Sequence, residues 1–199
     1  MKWLPAIALS LLAFGAYKQG FNRQVQHPPG AIAPESPRQT RTFEPPFAFP
    51  EGSYTIKPLA DFSIKARVLS RENYSMGREA DLSPIDLAFG WGPMSDTAVI
   101  KQLTISQSGR FYFWRYEGTP PIPDQDIISH SANMHLIPAN NDIRKKLKTV
   151  RQGQVVSLKG HLVAVNAPDG FTWTSSLTRD DSGAGACEVI WVTAVSLQP

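Results

Sequence analysis

One cysteine, Cys187, stands in a chain of 199 residues. With no second thiol, no intramolecular disulfide can form, and an oxidising compartment would have to be met without covalent staples. Its place far from the N-terminus also excludes a lipoprotein anchor, which needs a cysteine directly after the apolar segment. Charge of one sign is scarce as well. The formal net charge is +3, and Lys2, Lys18, Arg23, Arg38 and Arg41 all precede residue 52. From Gly52 onward 15 Lys and Arg face 14 Asp and Glu. That balance leaves no electrostatic footprint for a polyanion, so a nucleic-acid partner is not expected.

Long hydrophobic runs are missing apart from Trp3 to Tyr17, which Pro5 and Ser10 interrupt. A helix of that length reaches about 22 Å, short of the roughly 30 Å hydrocarbon core, which favours a cleaved signal peptide. The poor small-residue site Ala13-Phe14-Gly15 and the basic Lys18 and Arg23 beyond it favour retention. Residues 1–23 are therefore expected to be a signal peptide or membrane anchor. The expected address is the inner membrane, single-pass with a periplasmic domain, with cleavage and release into the periplasm as the alternative.

Pro28, Pro29, Pro34, Pro37, Pro45, Pro46 and Pro50 fall within residues 24–51. That density excludes a helix or a central strand and reads as an extended linker, with a reach of up to ~80 Å. Phe47 and Phe49 are apolar enough to dock on the domain that follows. Residues 52–199 then hold one domain of ordinary size.

Within it, Phe62, Ile64, Ala66 and Val68 alternate with Ser63, Lys65 and Arg67, the period of a half-buried strand. Ser83-Pro84-Ile85-Asp86 predicts a helix start, and Ser95-Asp96 a second short helix to about Leu103. Gln107-Ser108-Gly109 predicts a hairpin whose aromatic strand, Phe111 to Trp114, belongs in the core. Asn140 to Val150 has the spacing of an amphipathic helix. Val156 to Ala164, Phe171 to Trp173 and Cys187 to Leu197 read as closing strands. The order predicts a mainly β (α+β) domain, a small β-barrel with inserted short helices, in the manner of the oligonucleotide/oligosaccharide-binding (OB) fold.

Chemistry-bearing residues concentrate in Ser129-His130-Ser131-Ala132-Asn133-Met134-His135, read as a loop. Cys187 is the strong nucleophile of the chain, and pairing it with His135 or His130 is the arrangement a thiol hydrolase or transferase needs. Asp180, Asp181 or Asn133 would then orient the imidazole. The plainer reading makes Cys187 a packing residue beside Val189 and Trp191, and the histidines hydrogen-bonded structural groups. His130 and His135 have neither a helical H-x-x-x-H spacing nor a cysteine partner, so no metal and no cofactor is expected. The run Arg144, Lys145, Lys146, Lys148, Arg151 reads as a solvated helix face.

Three stretches, Lys65 to Ser70, Ser83 to Asp96 and Ser175 to Asp181, resemble those of a family of bacterial membrane-anchored proteins of unknown function. The resemblance implies an address and a domain type, and carries over no activity and no catalytic residue. With no complete catalytic signature in view, the leading expectation is a membrane-tethered binding or assembly module with a protein partner. The Cys-His hydrolase or transferase is its alternative.

Overall fold

The computed structural model describes residues 24–179, 183 and 185–198. The apolar segment read as a signal or anchor lies outside the described residues, as do Asp180 and Asp181. Among those described, no helix is long and apolar enough to cross a membrane.

The chain is mainly β. β1 (Arg38–Thr40) and β2 (Phe47–Ala48) are short, and β3 (Thr55–Asn73) is 19 residues long. α1 (Arg78–Leu82) leads to β4 (Ile85–Gly90), and a 3-10 turn with α2 (Thr97–Ile100) leads to the hairpin β5 (Thr104–Ser108) and β6 (Phe111–Arg115). α3 (Asp124–Ser129), β7 (Ser131–Pro138), α4 (Asn141–Thr149), β8 (Val155–Asn166), β9 (Thr172–Thr174) and β10 (Glu188–Gln198) complete it.

Five strands form a ring in which β3 pairs with β4, β4 with β7, β7 with β10, β10 with β8, and β8 again with β3. β7 and β10 run parallel, and the other four pairings are antiparallel. The alternating residues predicted for β3 line the inside: Phe62, Ile64, Ala66 and Val68 meet Leu87, Phe89, Met134, Leu136, Ile190 and Val192. α4 adds Ile143 and Leu147 to that cluster. Asn140 caps α4, its Oδ1 accepting from the Asp142 and Ile143 amides at 3.0 Å. Closure needs a close approach at Gly160, where an added Cβ would lie 1.9 Å from the Trp191 carbonyl oxygen.

Three sequence expectations are corrected. Ser83-Pro84-Ile85-Asp86 opens strand β4 and not a helix. All six residues of β4 are buried, and a strand covered on both faces loses the period-2 signature that would distinguish it. The aromatic hairpin is not central to the core: it is a separate two-stranded sheet lying against the ring. Its pleat turns Tyr112 and Trp114 toward Leu69, Ala88 and Met94 and leaves Phe111 and Phe113 43% and 51% exposed. Ser131 to His135 is no loop but the first five of the eight residues of ring strand β7.

Residues 24–51, read as a linker, lie along the ring. The Val25 amide donates to the Gln152 carbonyl at 2.8 Å, and His27 Nε2 meets the Gly153 carbonyl at 2.9 Å. The Gly30 amide donates to Asp96 Oδ1, and Ala33, only 1% exposed, exchanges bonds with Ser95 Oγ and the Gly92 amide. β1 then pairs with β3, and Phe47 and Phe49 pack edge-on against Trp191. Prolines forbid a central strand, but between them an extended chain still has donors and acceptors to spend on an edge.

Candidate active site

The ring's register sets the site. β4 against β7 places Asp86 opposite His135, and β7 against β10 places His135 opposite Val189. Since side chains alternate along a strand, Cys187, two residues before Val189, falls on the same outer face as Asp86, Asn133 and His135. Met134 and Leu136 point the other way, into the core.

Asp86 is fully buried, and its carboxylate is held from two sides. Oδ1 lies 2.8 Å from Arg110 Nη1, with Ser83 Oγ at 3.4 Å, while Oδ2 lies 2.9 Å from Nδ1 of His135. The Asp86–His135 approach is at ion-pair distance but is bent away from a straight hydrogen bond. His135 is 4% exposed, and the Trp173 ring packs on it with centroids 4.9 Å apart. Burial pushes its imidazole down, but the Asp86 carboxylate and the Cys187 sulfur together outweigh burial and raise it to about 9.

Cys187 is half-buried. Its sulfur stands close enough to the His135 ring to act on that ring's proton affinity. It also lies 3.8 Å from Asn133 Nδ2 and 3.9 Å from the Arg110 carbonyl, both weak sulfur contacts. It lines a cavity of about 120 Å³ together with Phe111, Tyr112, Trp114 and Ile128.

Arg110 ties the hairpin to this cluster. It occupies the hairpin turn with φ 73°, next to Gly109 at φ 58°. Its amide donates to the Tyr74 hydroxyl at 3.1 Å and its carbonyl accepts from Asn133 Nδ2 at 2.9 Å. Its guanidinium donates to Asp86 and to the Ser83 carbonyl, and lies 3.8 Å above the Tyr74 ring. A non-glycine residue held in a left-handed conformation needs such over-determination.

Of the sequence candidates, the structure brings Cys187, His135 and Asn133 together. His130 is placed elsewhere: it ends α3, its Nδ1 within 2.9 Å of the Asp126 carbonyl, and its ring fills the space a Cβ on Gly92 would need. Among the described residues none of its contacts runs to Cys187. The group beside His135 is Asp86, which the sequence reading puts at a helix start, and Arg110 is not among the sequence candidates. Neither has a local signal, because their meeting depends on strand register. No group of three or more His, Cys, Asp or Glu among the described residues is arranged to hold a metal ion.

No protein-family model matches this chain, and neither a curated protein nor a solved structure matches it.

Proposed function

We propose that Cys187, His135 and Asp86 form a nucleophilic thiol centre, and that the protein is a hydrolase or transferase acting on an activated acyl group. The supporting observation is the sequence of contacts from a fully buried carboxylate, through an imidazole of raised proton affinity, to a thiol on a cavity wall. Nδ1 faces Asp86, which leaves Nε2 as the nitrogen for the thiol. The proton shared by Cys187 and His135 rests on the imidazole, whose proton affinity Asp86 raises, and the sulfur attacks the acyl carbonyl carbon. The tetrahedral adduct collapses and expels the leaving group, which takes the proton back from His135. The thioester on Cys187 then passes its acyl group to water or another acceptor, whose proton goes to His135 as the sulfur leaves. Asp86 orients the ring and stabilises the imidazolium. Arg110 keeps the carboxylate from being a lone buried charge.

In the same reading the ring is an OB-like barrel. The support is its closed order of five strands, with β7 parallel to β10 and α4 between β7 and β8. We place the domain on the periplasmic side of an inner membrane on the strength of the Trp3 to Tyr17 segment alone. A second reading, a binding module with a protein partner, draws on Phe111 and Phe113 exposed side by side on the hairpin, their rings 6.3 Å apart.

Iodoacetamide labelling of the full-length protein decides between them, because total thiol loss reads Cys187 directly. The thiol reading expects Cys187 in the native protein to label faster than in the unfolded chain, and His135→Asn to slow labelling at least tenfold while circular dichroism stays native. A rate no faster than that of the unfolded chain and indifferent to His135→Asn leaves the binding module.

A further inference from the structure

The cavity at Cys187 restricts what the thiol can accept, and among the described residues its polar side chains already have partners. Ser131 Oγ donates to the Ile127 carbonyl at 2.7 Å, and the Tyr112 hydroxyl is within 3.4 Å of Ser131 Oγ. Asn133 gives Nδ2 to the Arg110 carbonyl and takes Gln107 Nε2 on Oδ1 at 2.6 Å. Arg179 faces Glu188, and its Nη2 also donates to Gln39 Oε1 at 2.7 Å, so the cation on the wall is paired. Glu188 Oε2 has no hydrogen bond, but it is sealed from solvent and lies in a carboxylate that Arg179 neutralises. What remains for a guest is the aromatic and aliphatic surface of Phe111, Tyr112, Trp114 and Ile128.

Resting on the thiol centre proposed above, we infer that this cavity is the acyl subsite and that it selects a short, uncharged, apolar acyl group. A dry apolar cavity of about 150 Å³ holds a benzene-sized guest. At about 120 Å³ this one buries a chain of roughly four carbons, and the further methylenes of a longer chain stay in solvent. A charged acyl group is disfavoured for another reason: with Arg179 paired, no described side chain on the wall offers a charge to replace its lost hydration.

Single-turnover acylation of Cys187 in the full-length protein tests this, using acetyl, butanoyl, octanoyl and succinyl thioesters of N-acetylcysteamine, with the acyl-enzyme read by intact mass. Each buried methylene is worth about fourfold, so butanoyl, with two more than acetyl, should acylate roughly sixteenfold faster. Octanoyl should gain nothing over butanoyl, and succinyl should be slower. Ile128→Phe, which fills the cavity from α3, should bring the butanoyl to acetyl ratio down towards one. If iodoacetamide labelling is fast and dependent on His135 but the four thioesters react alike, or octanoyl or succinyl leads, the subsite inference falls and the thiol centre stands. If labelling is slow and indifferent to His135, both fall.

Discussion

Arg110 reaches Asp86 from the tip of a hairpin, Nη1 to Oδ1 at 2.8 Å, while its own backbone sits in the left-handed region at φ 73°. The usual residue for such a turn position is glycine or asparagine, because a Cβ there costs about 1–2 kcal/mol. The side chain offsets that cost by neutralising a carboxylate that has no access to water. The hairpin that walls the cavity is thereby fastened to the strand that carries Asp86.

Removing the guanidinium leaves Asp86 with His135 as its remaining cation. Arg110→Ala should destabilise the protein by about 3 kcal/mol, the scale for breaking a buried ion pair. Arg110→Gly should recover about 1 kcal/mol of that, since glycine keeps the turn without strain. Urea unfolding of both variants, and of each combined with Asp86→Asn, gives the coupling. Equal stability of the alanine and glycine variants would remove strain from the account.

Stability should depend on pH through His135. Its folded value, about 9, lies above the roughly 6.5 of an unfolded histidine. The protonated ring therefore adds stability that is fully present below pH ~6.5 and is lost as pH rises through about 9. The melting temperature of the wild-type protein should fall across that window, and that of His135→Asn should stay flat. Cys187 contributes to the raised value, so Cys187→Ser should move the fall to lower pH. A wild-type profile that is level from pH 6.5 to 9.5 would contradict the Asp86–His135 contact.

Gly153 lies where the N-terminal strap meets the ring. It has φ 84°, and a Cβ there would come 2.0 Å from the Val25 carbonyl oxygen. Gly153→Ala should push Val25 and His27 off the turn before β8, with the ring retained. Hydrogen exchange at the Val25 amide and limited proteolysis across residues 24–40 should both speed up, with far-UV circular dichroism unchanged. Unaltered protection of the strap would show that Val25 does not depend on this approach.

Much of the fold was legible wherever a single face is buried. The alternation of Phe62 to Val68 marked β3, and the spacing across Asn140 to Val150 marked α4, because one-sided burial writes its period into the chain. β4 was misread for the complementary reason: Ile85 to Gly90 is covered on both sides. The hairpin was found from its turn, but which aromatics face inward was not. Phe111 to Trp114 are apolar throughout, and only docking on the ring separates Tyr112 and Trp114 from Phe111 and Phe113. At the site, Cys187 and His135 were singled out as residue types capable of thiol chemistry, and Asn133 as a possible orienter. The partner at Nδ1, Asp86, lies 49 positions from His135 in the chain, and no spacing rule connects them.

By itself, the sequence determined composition-level and local properties: one thiol with no disulfide partner, a near-neutral stretch from Gly52 onward, an apolar N-terminal segment, a proline-rich approach, and strands and a helix of definite period. These follow from each residue's own chemistry and that of its near neighbours. The tertiary structure alone decided that β4, β7 and β10 lie side by side in one register. A shift of one residue would turn every side chain to the other face, so that register decides whether Asp86, His135 and Cys187 share a face outside the ring. It also decided that the approach lies on the ring and that Arg110 closes the hairpin onto Asp86, because these contacts join segments whose proximity no local interaction specifies.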